Sequence, residues 1–286
     1  MPTGALKRVL VAVDLTPRGH RALRRGIQLA LGSGADLRLI YVSSEDLPEE
    51  FRLAQDKYAC EELAAHAARA REQGIRAITT TVLEGRSSEQ IVQDAIENAA
   101  DLIVVGPHRP SSFAQDLLGT TAGKILRSCQ CPVLMARAED GRGYDSVMVA
   151  VDFSPASRRA LRIALEWFST VHITVLSVYG KLRGHAESRN ELAGETRRLA
   201  VQGLLSEVTA EVAPLEGAPP AVETLAVYGW PEDAIDDFIA TRKPGLVVMG
   251  THGQTGRDRA VFGGVAEWVT DSATCDVLLI PSPIPA

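Results

Sequence analysis

The segment "GTHGQTGRDRAVFGG", Gly250 to Gly264, follows the apolar run "LVVM" directly. Glycines at 250, 253, 256, 263 and 264 leave unusually bare backbone there. Glycine costs conformational entropy, so a cluster marks either a turn-rich loop or backbone that must come close to a ligand. The chemistry such a loop could do is anion binding, because backbone N–H groups at a helix N-terminus point at a negative charge and the helix dipole favours it. Acidic residues stand upstream at equivalent places: Asp14 in "VAVDLTP" and Asp152 in "VAVDFSP". An Asp after a strand can hold a ligand, or it can simply cap a turn. Familiar phosphate motifs are absent. "GTTAGKI" (119–125) has only three residues between its glycines and no hydroxyl residue after Lys124. "GSGADL" (32–37) precedes a strand instead of following one.

These residues must be positioned by something, and an internal repeat shows what. "VLVAVDLTPRGHRALR" (9–24) matches "VMVAVDFSPASRRALR" (147–162). "LIVVGPHR" (102–109) matches "LVVMGTHG" (246–253), and "CPVLMA" (131–136) matches "CDVLLI" (275–280). The chain is two homologous halves, 1–138 and 145–286, joined by "RAEDGRGYDS" (137–146). Within each half, short Val/Ile/Leu-rich runs alternate with helical patterns. In the first half the runs are "RVLVAVD", "DLRLIYV", "AITTTVLEG", "DLIVVG" and "CPVLMA". Near-continuous apolar strands imply a sheet covered on both faces. The alternation predicts an α/β fold: two doubly wound, five-stranded parallel sheets of order 3-2-1-4-5, flanked by helices. Leu161, Ala164, Leu165 and Phe168 follow the helical period. Thr16 and Ser154 are predicted N-caps before Pro17 and Pro155, and Ser87 with Gln90 reads as a capping box. Segment 187–208 reads as a solvated helix with an apolar underside, and 179–186 as a loop. In such sheets ligands bind beyond the carboxyl ends of the strands, where strand order reverses. That puts Asp14 with Gly106, and Asp152 with Gly250, at one crevice per half.

Composition narrows the classes. The chain has 286 residues, 45% hydrophobic and 23% charged, with a net charge of −6. It lacks the basic field that nucleic acid or anionic lipid needs, so neither nucleic acid nor a membrane is an expected partner. No apolar run approaches the ~20 residues of a membrane span. The N-terminus runs into a strand without a signal-like segment, so a cytoplasmic location is expected. Cys60, Cys129, Cys131 and Cys275 form no metal-site spacing and read as reduced thiols. His20, His66, His172 and His185 are scattered and read as solvated or capping residues in preference to metal ligands, and His108 and His252 lack a constellation for base catalysis. Trp230, before Pro231, reads as a packing residue.

One spacing does fit: Gly, two residues, Gly, nine residues, Gly and a small residue, as Gly250, Gly253, Gly263 and Gly264. With an Asp after strand one and Cys-x-Val near the end, it resembles the universal stress protein family, twice over, as a tandem member. The resemblance implies that an adenine nucleotide (ATP, ADP or AMP, with Mg as a companion ion) is held by Asp14 and Val42 in the first half and by Asp152 and Val178 in the second. Ribose and phosphates would lie on Gly106, Arg109, Gly119 and Thr120, or on Gly250, Gly253, Gly263 and Gly264. Each half departs from the motif. Arg109 replaces the second glycine, where it can pair with a phosphate or fill the site, and Pro107 removes a donor. Gly264 stands where the family has a hydroxyl residue. Retaining all its glycines, the second half is the expected nucleotide site. The resemblance further implies a stress-response regulator or sensor, at most a slow ATPase with no catalytic residues of its own. It implies protein partners, pairing of the fifth strands within the chain, and a homodimer. A different class, an interaction scaffold with degenerate sites, fits the same departures.

Overall fold

The computed structural model describes residues 6–16, 19–107, 121–139, 143–182, 185–186, 191–212, 221–253 and 263–282. Two compact units divide the chain, Met1–Gly143 and Tyr144–Ala286.

The first unit runs β1 (Arg8–Ala12), α1 (Gly19–Ser33), β2 (Asp36–Ser43), α2 (Glu49–Glu72), β3 (Ile78–Glu84), α3 (Ser87–Glu97), β4 (Leu102–Val105), α4 (Thr121–Ser128), β5 (Val133–Met135). Its strands pair in parallel in the order β3-β2-β1-β4-β5. The second unit runs β6 (Ser146–Ala150), α5 (Pro155–Trp167), β7 (His172–Leu182), β8 (His185–Ala186), α6 (Glu191–Glu211), β9 (Val222–Gly229), α7 (Pro231–Arg242), β10 (Leu246–Gly250), α8 (Gly264–Ser272), β11 (Asp276–Ile280). Its parallel order is β9-β7-β6-β10-β11. Both units thus have the 3-2-1-4-5 order expected from the alternating pattern.

Strands β4, β5 and β11 are buried along their whole length. Those continuous apolar runs sit between helices on both faces, which is why they do not alternate. α5 shows how a helix serves the site. Ser154 occupies its N-cap and accepts a hydrogen bond from the Ser157 N–H at 3.2 Å, with Pro155 in the first turn. Ala160, Leu161, Ala164 and Leu165 then face the sheet. The start of β1 is tied to that of β4 by Asp101, whose buried carboxylate accepts from the Lys7 and Arg8 N–H groups at 3.0 and 2.9 Å.

Two local expectations fail and a third holds only in part. Segment 179–186 is no loop: β7 continues to Leu182 and turns back as β8, antiparallel, through Lys181↔Ala186 and Leu182↔His185. Ser87 is not a cap. Arg86 holds the N-cap position of α3 without a side-chain hydrogen bond, because Gly85, at φ +131°, turns the chain one residue earlier. Trp230 holds the N-cap position of α7 and is 39% exposed, so it packs only in part. Pro17 lies outside the described residues, although Thr16 Oγ1 accepts from the Gly19 N–H at 3.2 Å. In α6, Val201, Leu204 and Val208 form the apolar underside.

Candidate functional site

In each unit the carboxyl ends of the first and fourth strands lie side by side. β1 pairs with β4 through Val11↔Val104, and β6 with β10 through Val248↔Val149, in parallel. Extending these registers by three residues brings Asp14 beside Pro107 and Asp152 beside Thr251. The crevice at the switch in strand order follows from this geometry.

In the first unit a cavity of about 370 Å³ opens there. Asp14, Val42, Gly106 and Pro107 line it together with Tyr41, Ser87, Ile91 and Thr121. Asp14 Oδ1 accepts from the Thr16 N–H at 2.9 Å and from its hydroxyl at 2.7 Å. The carboxylate therefore forms the turn that starts α1, as the capping reading expects, and it also lines the cavity. Gly19 is needed for this turn, since a Cβ there would lie 1.9 Å from Asp14 Oδ1. The Tyr41 hydroxyl is pushed above its ordinary pKa, chiefly by burial and then by Asp56 and Asp14, so it remains a protonated donor. Arg109, Gly119, Thr120 and His108 lie outside the described residues. A larger groove of about 430 Å³, with Val92, Ile96 and Ser128 in its walls, lies between α3 and α4 and includes neither Asp14 nor Gly106.

In the second unit Gly253 meets Asp152, and Gly250 meets helix α5. A Cβ on Gly253 would lie 2.7 Å from Asp152 Oδ2, and one on Gly250 would lie 2.7 Å from the Ala156 Cβ. Both glycines are thus required by close approach, of a carboxylate in one case and of helix α5 in the other. Asp152 Oδ1 accepts from the Ser154 N–H at 3.0 Å. The Ser154 hydroxyl donates to the His252 carbonyl at 3.3 Å, stitching the start of α5 to the glycine loop. His252 Nδ1 sits 2.8 Å from Thr251 Oγ1, so the ring helps to shape this loop. Gly263 is the N-cap of α8, and its N–H donates to the Thr251 carbonyl at 2.9 Å. That amide is already engaged by the protein. Gly264, the first helical residue, has open space where a side chain would go. Val178 does not end its strand, which runs on to Leu182.

Several site residues left no mark in the sequence. Leu15 and Phe153, each following the crevice Asp, share a left-handed backbone at φ +57° and +66°. This conformation costs a non-glycine residue roughly 1–2 kcal/mol and clusters at functional sites. Its repetition in both units is the one signal that could have been sought, in the paired residue after "VAVD". Arg197, from α6, donates from Nη2 to the Val178 carbonyl at 3.3 Å and from Nε to Ser177 Oγ at 2.9 Å.

Among the described residues, no three His, Cys, Asp or Glu side chains are grouped to hold a metal, and no helix is long and apolar enough to cross a membrane. No disulfide joins the four cysteines, of which Cys60 is exposed and the others buried.

A parallel 3-2-1-4-5 sheet, with an Asp after strand one beside a glycine at the end of strand four, defines a class of doubly wound domains that bind ligands at a strand-order switch. The sequence profile of the universal stress protein family matches residues 5–137 and again 143–281, and the chain belongs to that family as a tandem member. It is 24% identical to universal stress protein E of Salmonella typhi over 302 residues, spanning 95% of this chain and 93% of that one. A universal stress protein of Methanocaldococcus jannaschii is 32% identical over 165 residues, which is 56% of this chain and 95% of that protein. The crystal structure of a universal stress protein from Archaeoglobus fulgidus superposes with a TM-score of 0.71 at 18% identity, covering 96% of this chain and 98% of that one.

Proposed function

We propose that this universal stress protein binds an adenine nucleotide (ATP, ADP or AMP) and uses its occupancy to regulate or sense a stress response, in the cytoplasm, through protein partners. The observation that carries the reading is the first unit's cavity, which Asp14, Val42 and Gly106 line together at the switch in strand order. Asp14 and Val42 would hold the adenosine. Thr121 and the start of α4 would face the phosphates, with Mg accompanying the triphosphate. Glycine content alone favours the second unit, where Gly250, Gly253, Gly263 and Gly264 are all present. The open cavity around Asp14 moves the weight to the first.

A second reading, an interaction scaffold without nucleotide, is favoured by the engaged Gly263 amide and by Arg197 at Val178. Native mass spectrometry of protein purified without added nucleotide separates the two. A retained mass matching ATP, ADP or AMP is expected. Apo protein that also gives no heat with any of the three by calorimetry overturns the nucleotide reading.

A further inference from the structure

The two crevices differ at their nucleoside ends, and the difference begins in helix α6. Gly194 lets that helix settle low over β7: a Cβ there would lie 2.6 Å from the Tyr179 hydroxyl. Three residues on, along the same helix face, Arg197 reaches the sheet. Its Nε donates to Ser177 Oγ at 2.9 Å and its Nη2 to the Val178 carbonyl at 3.3 Å. Ser177 is fully buried, and its one hydroxyl proton goes to the Val151 carbonyl at 2.8 Å, so toward Arg197 it can only accept. The guanidinium also lies over the Phe153 ring, 4.4 Å from its centroid. Phe153 itself is held in the left-handed region, next to Asp152.

A planar group with N–H donors, stacked on an aromatic face and donating to a backbone carbonyl, satisfies the contacts that the amino edge of a purine would otherwise make. The first unit is built differently at the same register. Ala12 pairs with Ile40 and Ala150 with Leu176, so Tyr41 corresponds to Ser177 and Val42 to Val178. Leu15 stands where Phe153 does, and Val42 lines an open cavity.

We propose that Arg197 is a tethered occupant of the nucleoside end of the second crevice, standing in for an amino-purine and making the two crevices unequal in their affinity for adenine nucleotides. The inference rests on the nucleotide reading above. A nucleoside can dock against Val178 only after the guanidinium gives up the Val178 carbonyl, Ser177 and Phe153. The charge is not lost on displacement, because Arg197 remains tethered at the mouth of the crevice.

The test is AMP titration by calorimetry in an Asp14→Asn background, which weakens the first crevice, keeps its turn and lets a change at the second be read. Arg197→Ala is expected to tighten AMP binding there by about tenfold or more, the effect of removing competing charge-assisted hydrogen bonds. Arg197→Met keeps an unbranched apolar stem and should tighten binding similarly, which separates loss of the plug from loosening of the helix. Arginine Nε–H exchange, followed by NMR in the unsubstituted protein, should show one protected signal that is absent in Arg197→Met and loses protection on saturation with AMP. Unchanged or weaker AMP binding in both variants overturns the plug while leaving the nucleotide reading intact. So does an Arg197 Nε–H that exchanges at the solvent rate. No heat with AMP, ADP or ATP from any of the proteins, the unsubstituted chain included, overturns the nucleotide reading and the plug with it.

Discussion

Gly253 and Asp152 are in mutual contact: the space a Cβ would need at 253 is taken by the Asp152 carboxylate, 2.7 Å away. The carboxylate cannot swing aside freely, because its other oxygen accepts from the Ser154 N–H at the start of α5. Gly253→Ala should therefore cost about 1–2 kcal/mol by straining or breaking that hydrogen bond. In an Asp152→Ala background the same substitution should cost little, since the obstacle has gone. Urea unfolding of the four proteins measures the coupling directly. An additive cycle would mean that Gly253 is a glycine for some other reason.

Asp14→Ala should reduce AMP or ATP affinity at the first crevice by at least about tenfold, through loss of one or two charge-assisted hydrogen bonds. Asp14 also closes the Thr16 turn, so stability must be followed alongside. Asp14→Asn keeps an acceptor for the turn and removes the charge. Calorimetry with both variants should show weaker binding in each, with thermal stability largely kept in Asp14→Asn. Unchanged affinity in both would remove Asp14 from the site.

His66 makes the first unit sensitive to acid. The residue lies buried on α2, edge-on to His20 with ring centroids 5.5 Å apart. Burial is the main cause holding its pKa below the ordinary 6.5, and His20 and Arg69 act in the same direction, against Glu62. The unfolded chain then binds more protons at this site than the folded one as pH falls below about 6.5, so stability declines with pH across that window. The neutral ring's contribution is fully present above 6.5 and lost below it. Thermal unfolding between pH 7.5 and 5 should show Tm falling, and His66→Gln should flatten that part of the profile. Parallel profiles for the two proteins would show that another group carries the acid sensitivity.

The sheet was legible because its evidence is redundant. β4 and β10 are runs of Val, Leu, Ile and Met too short for helices, and the repeated "VAVD" and "CPVLMA/CDVLLI" motifs locate strands one and five of each unit. Asp14 with Gly106, and Asp152 with Gly250, followed from strand order alone. Contacts made by helices packing over the ends of the strands were not legible. Arg197 is one of many charged residues in α6, and only the depth to which Gly194 lets the helix settle sends it to Val178. The Ser87 capping box failed for a local reason. The turn at Gly85 moves the cap back to Arg86, and Gln90 packs against Gly85, its Nε2 3.0 Å from where a Cβ there would lie. Segment 179–186 looked like a loop because Gly180 and Gly184 punctuate it.

Gly180 in fact serves the extended strand. It sits at φ +97° under the ring of Tyr228, two of whose carbons lie 2.2 and 2.4 Å from where a Cβ would be. Tyr228 is the register partner of Tyr179 on β9, and the two rings meet edge to face at 5.6 Å. A side chain at 180 would thus meet two obstacles at once, an unfavourable backbone conformation and an aromatic ring. Gly180→Ala should destabilise the second unit by at least about 2 kcal/mol. Because Tyr179 also touches α6 through Gly194, the damage should spread to the helix that carries Arg197. Tyr228→Ala removes the ring but not the dihedral constraint, so Gly180→Ala in that background should cost less than alone, though more than nothing. Amide hydrogen exchange should localise the loss of protection to β7, β9 and the first turns of α6. Protection unchanged there, with stability lowered elsewhere, would refute the role assigned to Gly180.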